Sequence, residues 1–180
     1  MHRSHPWRID GAPTTAHLDH EALREFRFSN GLGFPKSYVD FIERYGWART
    51  FGLWLIYPPV RSGFADGRAR AEHLTTRFRA QFREGRIEDF DWMIEPDGSW
   101  ELAERLDVFG WSENGDFLLW DPAGARADGE FPVWESRRAD TLYLLGATLD
   151  EALPRLRAGS VLHREHPELP DVQPLLAVRL

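Results

Sequence analysis

Three groups of residues in this 180-residue chain have types and spacings that chemistry could use. The first is Gly110-Trp111-Ser112-Glu113-Asn114-Gly115. It comes close to the Gly-x-Ser-x-Gly turn that lifts a nucleophilic serine above a sheet, but its second glycine falls one residue late. Asn114-Gly115 is better explained as a hairpin turn, so Ser112 is not expected to be a nucleophile. The second group is histidine. His17 and His20, and again His163 and His166, are spaced i, i+3, so each pair could share a helix face as metal ligands. Neither pair has an obvious third ligand nearby, and the second runs straight into Pro167. Surface histidines are therefore expected, with no metal and no other cofactor. The third group is paired carboxylates for hydrolysis, Asp89 with Asp91 or Glu101 with Glu104. Such pairs arise by chance in a chain with 29 acidic residues, so they carry no argument. There is no P-loop and no Gly-x-Gly-x-x-Gly.

Recognition is better supported than catalysis. Aromatic and acidic residues interleave at Asp89, Asp91, Trp92, Glu95, Asp97, Trp100 and Glu101, in segments that read as loops. Glu113 and Asp116 add acids at the hairpin, and Trp134 with Glu135 forms a weaker candidate. A few buried aromatics usually carry a protein interface, so tryptophans beside acids are credible anchors for a partner. The competing reading is that Trp92 and Trp100 fill the core while the acids are simply solvated.

Charge points the same way. The net charge is −7, and Lys36 is the only lysine among the basic residues. From Arg61 to Arg86 there are seven arginines against Asp66, Glu72 and Glu84. From Ile87 to Glu151 there are seventeen acids against Arg105, Arg126, Arg137 and Arg138. A field of that sign repels nucleic acid and attracts basic partners, unless it serves only solubility. The Arg68–Arg86 stretch could touch phosphate, but its aromatics lie on the opposite stripe, so nucleic-acid binding is not expected. No cysteine is present, which excludes disulfides and thiolate metal sites. Met1–Trp7 lacks the apolar core of a signal peptide, and the longest apolar run, Phe51–Tyr57, is far short of the ~20 residues that span a bilayer. A cytoplasmic protein without membrane contact is expected.

The elements that must position these residues are legible in outline. At this length one domain is the default. Residues 1–16 lack periodicity and read as an N-terminal arm. Asp19 can cap a first helix that has Ala22, Leu23 and Phe26 on one face. Pro35 suits the start of a second helix, whose Tyr38, Phe41, Ile42 and Tyr45 fall at i, i+3, i+4 and i+7 before Gly46 closes it. Phe51–Tyr57 reads as one buried strand ended by Pro58-Pro59, and 58–67 as a loop. Ala71, Leu74, Phe78 and Phe82 mark an amphipathic helix that Gly85 is expected to stop. Pro96-Asp97-Gly98 is a turn. Strands are expected at Leu106–Trp111 and Phe117–Trp120, joined through a two-residue Asn114-Gly115 turn, and at Phe131–Glu135 and Thr141–Leu145. Thr148-Leu-Asp-Glu151 is a capping box for a last helix, kinked or cut short by Pro154. From about 164 to 180 the chain holds three prolines and reads as an irregular tail.

The ordered set of these segments resembles the SMI1/KNR4 family of the SUKH superfamily. Gly33-Phe34-Pro35-Lys36-Ser37-Tyr38-Val39-Asp40-Phe41 and Tyr45-Gly46 are similar to its Leu-Pro-x-x-Tyr-x-x-Phe-like helix. Val108-Phe109-Gly110, Asn114-Gly115-Asp116-Phe117-Leu118, Asp121, Phe131-Pro132-Val133 and Thr148–Leu153 continue the match, over about 18–157. Tyr45-Gly46-Trp47 departs from the usual Asn-Gly-Gly-like turn, and 61–100 is longer and more charged than a minimal member needs. The resemblance implies an α+β fold, with a twisted, mainly antiparallel sheet and helices packed against it. It also implies no catalysis. Bacterial members are typically immunity proteins that bind a cognate toxin domain, often a nuclease or deaminase, and block its active site; other members are regulators or scaffolds. Three readings follow: an immunity protein bound to a basic toxin domain, a scaffold with a cellular partner, or a hydrolase of unfamiliar arrangement. A homodimer stays open, because surplus aromatics can bury a self-interface.

Overall fold

Consecutive strand residues of this protein enter two different cores. Phe117 and Leu119 join one apolar cluster, while Leu118 and Trp120, between and beside them, join the other. Val108 and Phe109 divide in the same way, as do Val133 and Trp134. Side chains alternate across a pleated strand, so a sheet with helices on both faces needs apolar residues at every position. That is why these strands read as unbroken apolar runs. The computed structural model describes residues 7–63 and 65–175; the remainder of the expected arm and tail lies outside them.

The elements run in the order α1 (His20–Glu25), α2 (Lys36–Tyr45), β1 (Ala48–Thr50), β2 (Trp54–Ile56), α3 (Gly67–Ile87), α4 (Trp100–Ala103), β3 (Asp107–Ser112), β4 (Phe117–Trp120), β5 (Val133–Ser136), β6 (Tyr143–Gly146), α5 (Leu149–Gly159), α6 (Val161–Glu165) and β7 (Val172–Pro174). The sheet has seven strands in the order β6-β5-β4-β3-β2-β1-β7, and every neighbouring pair is antiparallel. The fold is therefore α+β, an open antiparallel sheet with helices packed on it. α1, α2 and α5 supply Leu23, Tyr38, Phe41, Ile42, Leu153 and Leu156 to one face. α3 and α4 supply Leu74, Phe78, Phe82 and Leu102 to the other.

Side-chain hydrogen bonds pin the helices in place. Asp19 caps α1 through the Ala22 N–H, and Asp66 caps α3 through Arg68 and Ala69. Thr75 in α3 accepts the Val108 N–H at 2.9 Å, which ties the helix to β3. Beside it Arg79 pairs with Asp107 at 2.8 Å. Burial pushes the Asp107 carboxyl up, against the pull of that guanidinium. On the opposite face Ser37 N–H and Oγ both donate to the buried Glu130 carboxylate, and Ser37 Oγ accepts the Leu149 N–H. One hydroxyl thus knits the starts of α2 and α5 to the loop before β5.

Several local expectations are corrected. Phe51–Tyr57 is not one strand: Phe51 (φ 50°) and Gly52 (φ 76°) make the turn between β1 and β2, closed by the Leu53 N–H to Thr50 O. Gly85 does not stop α3. A Cβ there would sit 2.1 Å from Met93 Sδ, so the glycine lets the following segment pack against the helix. The helix ends beyond it. Asp89 takes the left-handed position (φ 56°), the Phe90 N–H bonds Gly85 O and the Asp89 N–H bonds Arg86 O. This is a Schellman cap with aspartate where glycine is usual. The β3–β4 turn has three residues, with only Gly115 at positive φ, and not two. Pro154 lies inside α5, which continues to Gly159.

The tail is not irregular throughout. Val172–Pro174 pairs with β1, and Arg8–Asp10 of the arm bonds to Asp171 and Val172 along the outer edge. Asp171 anchors this corner. Its carboxylate accepts from the Arg8 N–H at 2.9 Å and Arg157 Nε at 2.5 Å. His163 Nε2 lies 3.1 Å away, without the alignment of a hydrogen bond. His163 is buried, correcting its expectation as a surface histidine; His166 is exposed beside Glu168.

Burial pushes the Asp171 carboxyl up, but the bonds from Arg157 and Arg8 outweigh it and hold it below its ordinary value. A depressed carboxyl stabilises the fold above the unfolded-state pKa of ~3.9, and that stability is lost as pH falls through the folded-state value. Asp171→Asn is expected to cost about 1–2 kcal/mol at neutral pH. Because the wild type protonates there too, the difference shrinks towards zero in strong acid. Urea midpoints of both proteins against pH measure it.

Candidate functional site

The Schellman cap of α3 turns the chain outward, and the residues after it form an aromatic corner. Ile87, on the last turn of the helix, is 78% exposed, Phe90 39% and Trp92 52%. The Phe90 and Trp92 rings stack on each other with centroids 4.6 Å apart and planes 24° apart. An exposed stacked pair is unusual, because each ring keeps a broad apolar face in water. The corner rests on buried residues. Met93, in the 3₁₀ turn Asp91–Ile94, is buried and packs against Gly85. Trp100 is half-buried at the start of α4, where its indole N–H donates to Asp91 Oδ1 at 3.3 Å. The structure thus separates the two tryptophans read from the sequence: Trp100 supports the corner and Trp92 is its exposed face.

The acids around it differ in their engagement. Asp89, Asp91, Glu95, Asp97 and Glu101 are all exposed. Asp89 and Glu95 have no arginine partner among the described residues. Glu101 faces Arg86 at 3.4 Å, and Glu104 nearby is bonded by Arg83, which draws its carboxyl down. Asp97 Oδ2 accepts the Leu144 N–H at 3.0 Å, while 95–97 exchanges backbone bonds with Leu142. Asp97 therefore covers the free edge of β6 with a charge, a position that blocks further strand pairing.

Glu113 and Asp116 do not join this corner. They sit in the β3–β4 turn with partners of their own. Glu113 pairs with Arg49 at 2.6 Å, and Asp116 accepts Ser112 Oγ and the Arg138 N–H. Ser112 is fully buried and accepts the Asn114 and Asp116 N–H groups, so its hydroxyl is committed to the turn. Trp134 and Glu135 are buried, the carboxylate paired with Arg137 at 3.1 Å.

Ile87 and Phe90 were missed by reading the sequence. The signal was present: Ile87 lies five residues beyond Phe82, off the Ala71-Leu74-Phe78-Phe82 stripe, so it could not face the core.

Elsewhere a hollow of about 370 Å³ between α2 and α5 is lined by Asp40, Asp128, Glu130, Asp150 and Glu151 together with Lys36, which pairs with Asp40. Among the described residues no group of three His, Cys, Asp or Glu side chains is placed to hold a metal, and no helix is long and apolar enough to cross a membrane. The corner thus presents stacked apolar rings with the exposed carboxylates of Asp89 and Glu95 close by in sequence. No family model matches this chain, and neither a curated protein nor a solved structure matches it.

Proposed function

We propose that this chain is a non-catalytic binding module of the SMI1/KNR4 kind, an immunity protein that neutralises a cognate bacterial toxin domain in the cytoplasm. The toxin domain is nuclease- or deaminase-like and basic, and the protein acts by seating on it and covering its active site. The observation that carries this reading is the exposed Phe90–Trp92 stack flanked by Asp89 and Glu95, acids without an arginine partner among the described residues. Apolar burial at the centre supplies affinity, while the acids speed encounter and reject partners of the wrong charge.

Co-purification of the tagged protein from its native host tests it, at low and at high salt. The expected result is a basic toxin domain near one-to-one, inhibited in the complex and released more readily as salt screens the charges. Recovery of envelope or signalling proteins instead would favour the scaffold reading, and a toxin domain bound without inhibition would exclude occlusion.

A further inference from the structure

A second hollow, of about 230 Å³, lies on the α3 side of the sheet, where the helix passes the β3–β4 and β5–β6 turns. Arg77 and Gln81 of α3, Trp111 and Phe117 of the strands, Asn114 and Arg138 line it. Its lining is basic, as is the α3 segment that borders it. The protein carries a net charge of −7, yet this hollow has two arginines and no acid in its lining. Arg79, Arg83 and Arg86, on the same helix, each pair with a carboxylate. The Arg77 and Arg138 guanidinia have no acidic partner among the described residues. Arg70 lies over the Trp111 ring at 5.8 Å and adds a third positive charge beside the aromatic floor.

The turn beside the hollow is fixed by its own bonds. Arg138 and Ala139 are consecutive residues at positive φ, 53° and 58°, in a turn closed by the Asp140 N–H to Arg137 O at 2.8 Å. A turn of this shape normally uses Asn-Gly, and strained backbone of this kind gathers at functional sites. Asp116 holds it by accepting the Arg138 N–H, and Ser112 bonds the other oxygen of that carboxylate. Both oxygens of Asp116 are therefore engaged without the Arg138 guanidinium. The Gln81 side-chain oxygen is buried without a hydrogen-bond partner, on the side away from the opening. A half-turn of the amide exchanges its oxygen for an NH₂ donor.

We infer that this hollow binds a small phosphate monoester with a flat apolar body, the phosphate held between Arg77 and Arg138 and the ring against Trp111. Paired guanidinia suit the several oxygens of a phosphate dianion better than a single carboxylate. The volume lies below the ~300–1,000 Å³ of sites for larger ligands, which restricts the occupant to one ring and one phosphate.

Phenyl phosphate is the probe, with phenol as the neutral control, measured by titration calorimetry on the full chain. Wild type is expected to bind phenyl phosphate and not phenol. Arg77→Ala and Arg138→Gly are each expected to weaken binding about ten-fold or more. Glycine takes positive φ freely, so Arg138→Gly should also raise Tm by about 2–4 °C while losing ligand. That combination separates loss of a binding group from loss of the fold. No binding at millimolar phenyl phosphate, equal binding of phenol, or binding that survives both substitutions would overturn the inference.

Discussion

Trp92→Ala is expected to weaken the complex with the toxin domain about 30- to 150-fold, which corresponds to about 2–3 kcal/mol for a central aromatic anchor. The folded protein should scarcely notice. Trp92 is 52% exposed and its ring contact is the stack on Phe90, so the melting temperature should stay within about 2 °C of wild type. Affinity by calorimetry and stability by thermal melt, on the same preparations, separate the two effects. Equal affinity for wild type and variant would remove the aromatic corner from the interface. Replacing Asp89 or Glu95 beside it is expected to slow association, an effect that should fade with salt. Loss of the Trp92 ring belongs to dissociation and should persist.

The opposite outcome is expected for Trp120, a residue of the same type. Trp120→Ala should cost about 3–5 kcal/mol of stability, lowering Tm by about 10 °C or more. Its ring lies over Phe109 at 4.2 Å and 9°, takes the edge of Tyr38 at 4.8 Å, and meets Phe28, Phe34 and Phe131 at 5.8–6.3 Å. Removing it opens a cavity bordered by α2, β3 and β4 at once, and rigid neighbouring rings cannot collapse to fill it. Denaturant unfolding measures the loss. A variant within about 1 kcal/mol of wild type would mean that this aromatic cluster repacks, contrary to its interlocked geometry.

The contrast between Trp92 and Trp120 shows what could be read from the sequence. Tyr38, Phe41, Ile42 and Tyr45 repeat at helical spacing and form the buried stripe of α2, because their period alone selects a face. The meander of β3 to β6 was legible from apolar runs separated by turn residues. What was hidden depends on distant partners. Gly85 looks like a stop until Met93 is seen packed on it. Phe51 looks like a strand residue, and it is buried, but at the tip of a turn against Trp7 and near His163. Three residues at Val172–Pro174 become a strand only because β1, more than a hundred residues earlier, offers its edge. The aromatic corner was half legible. Acids beside tryptophans drew attention to 89–101, but which tryptophan faces water was decided by the left-handed Asp89, which no periodicity reveals.

The edge formed by Arg8–Asp10, β7 and β1 has a consequence for how the chain assembles. Among themselves, strands β1 to β6 pair in chain order, whereas β7 returns to β1 and the Arg8 N–H reaches Asp171 across 163 residues. Loop-closure entropy rises with the length of chain enclosed, so the meander with its covering helices is the inexpensive part to build, and the seam joining the two ends comes last. The seam is then also the first place to open. When it does, β1 loses its neighbour and presents bare backbone donors and acceptors, which a β7 segment from a second copy can satisfy in the same register. The charged knot at Asp171 is placed to act as a latch: bonds from Arg8 and Arg157 hold the seam shut and keep β7 on its own chain's β1.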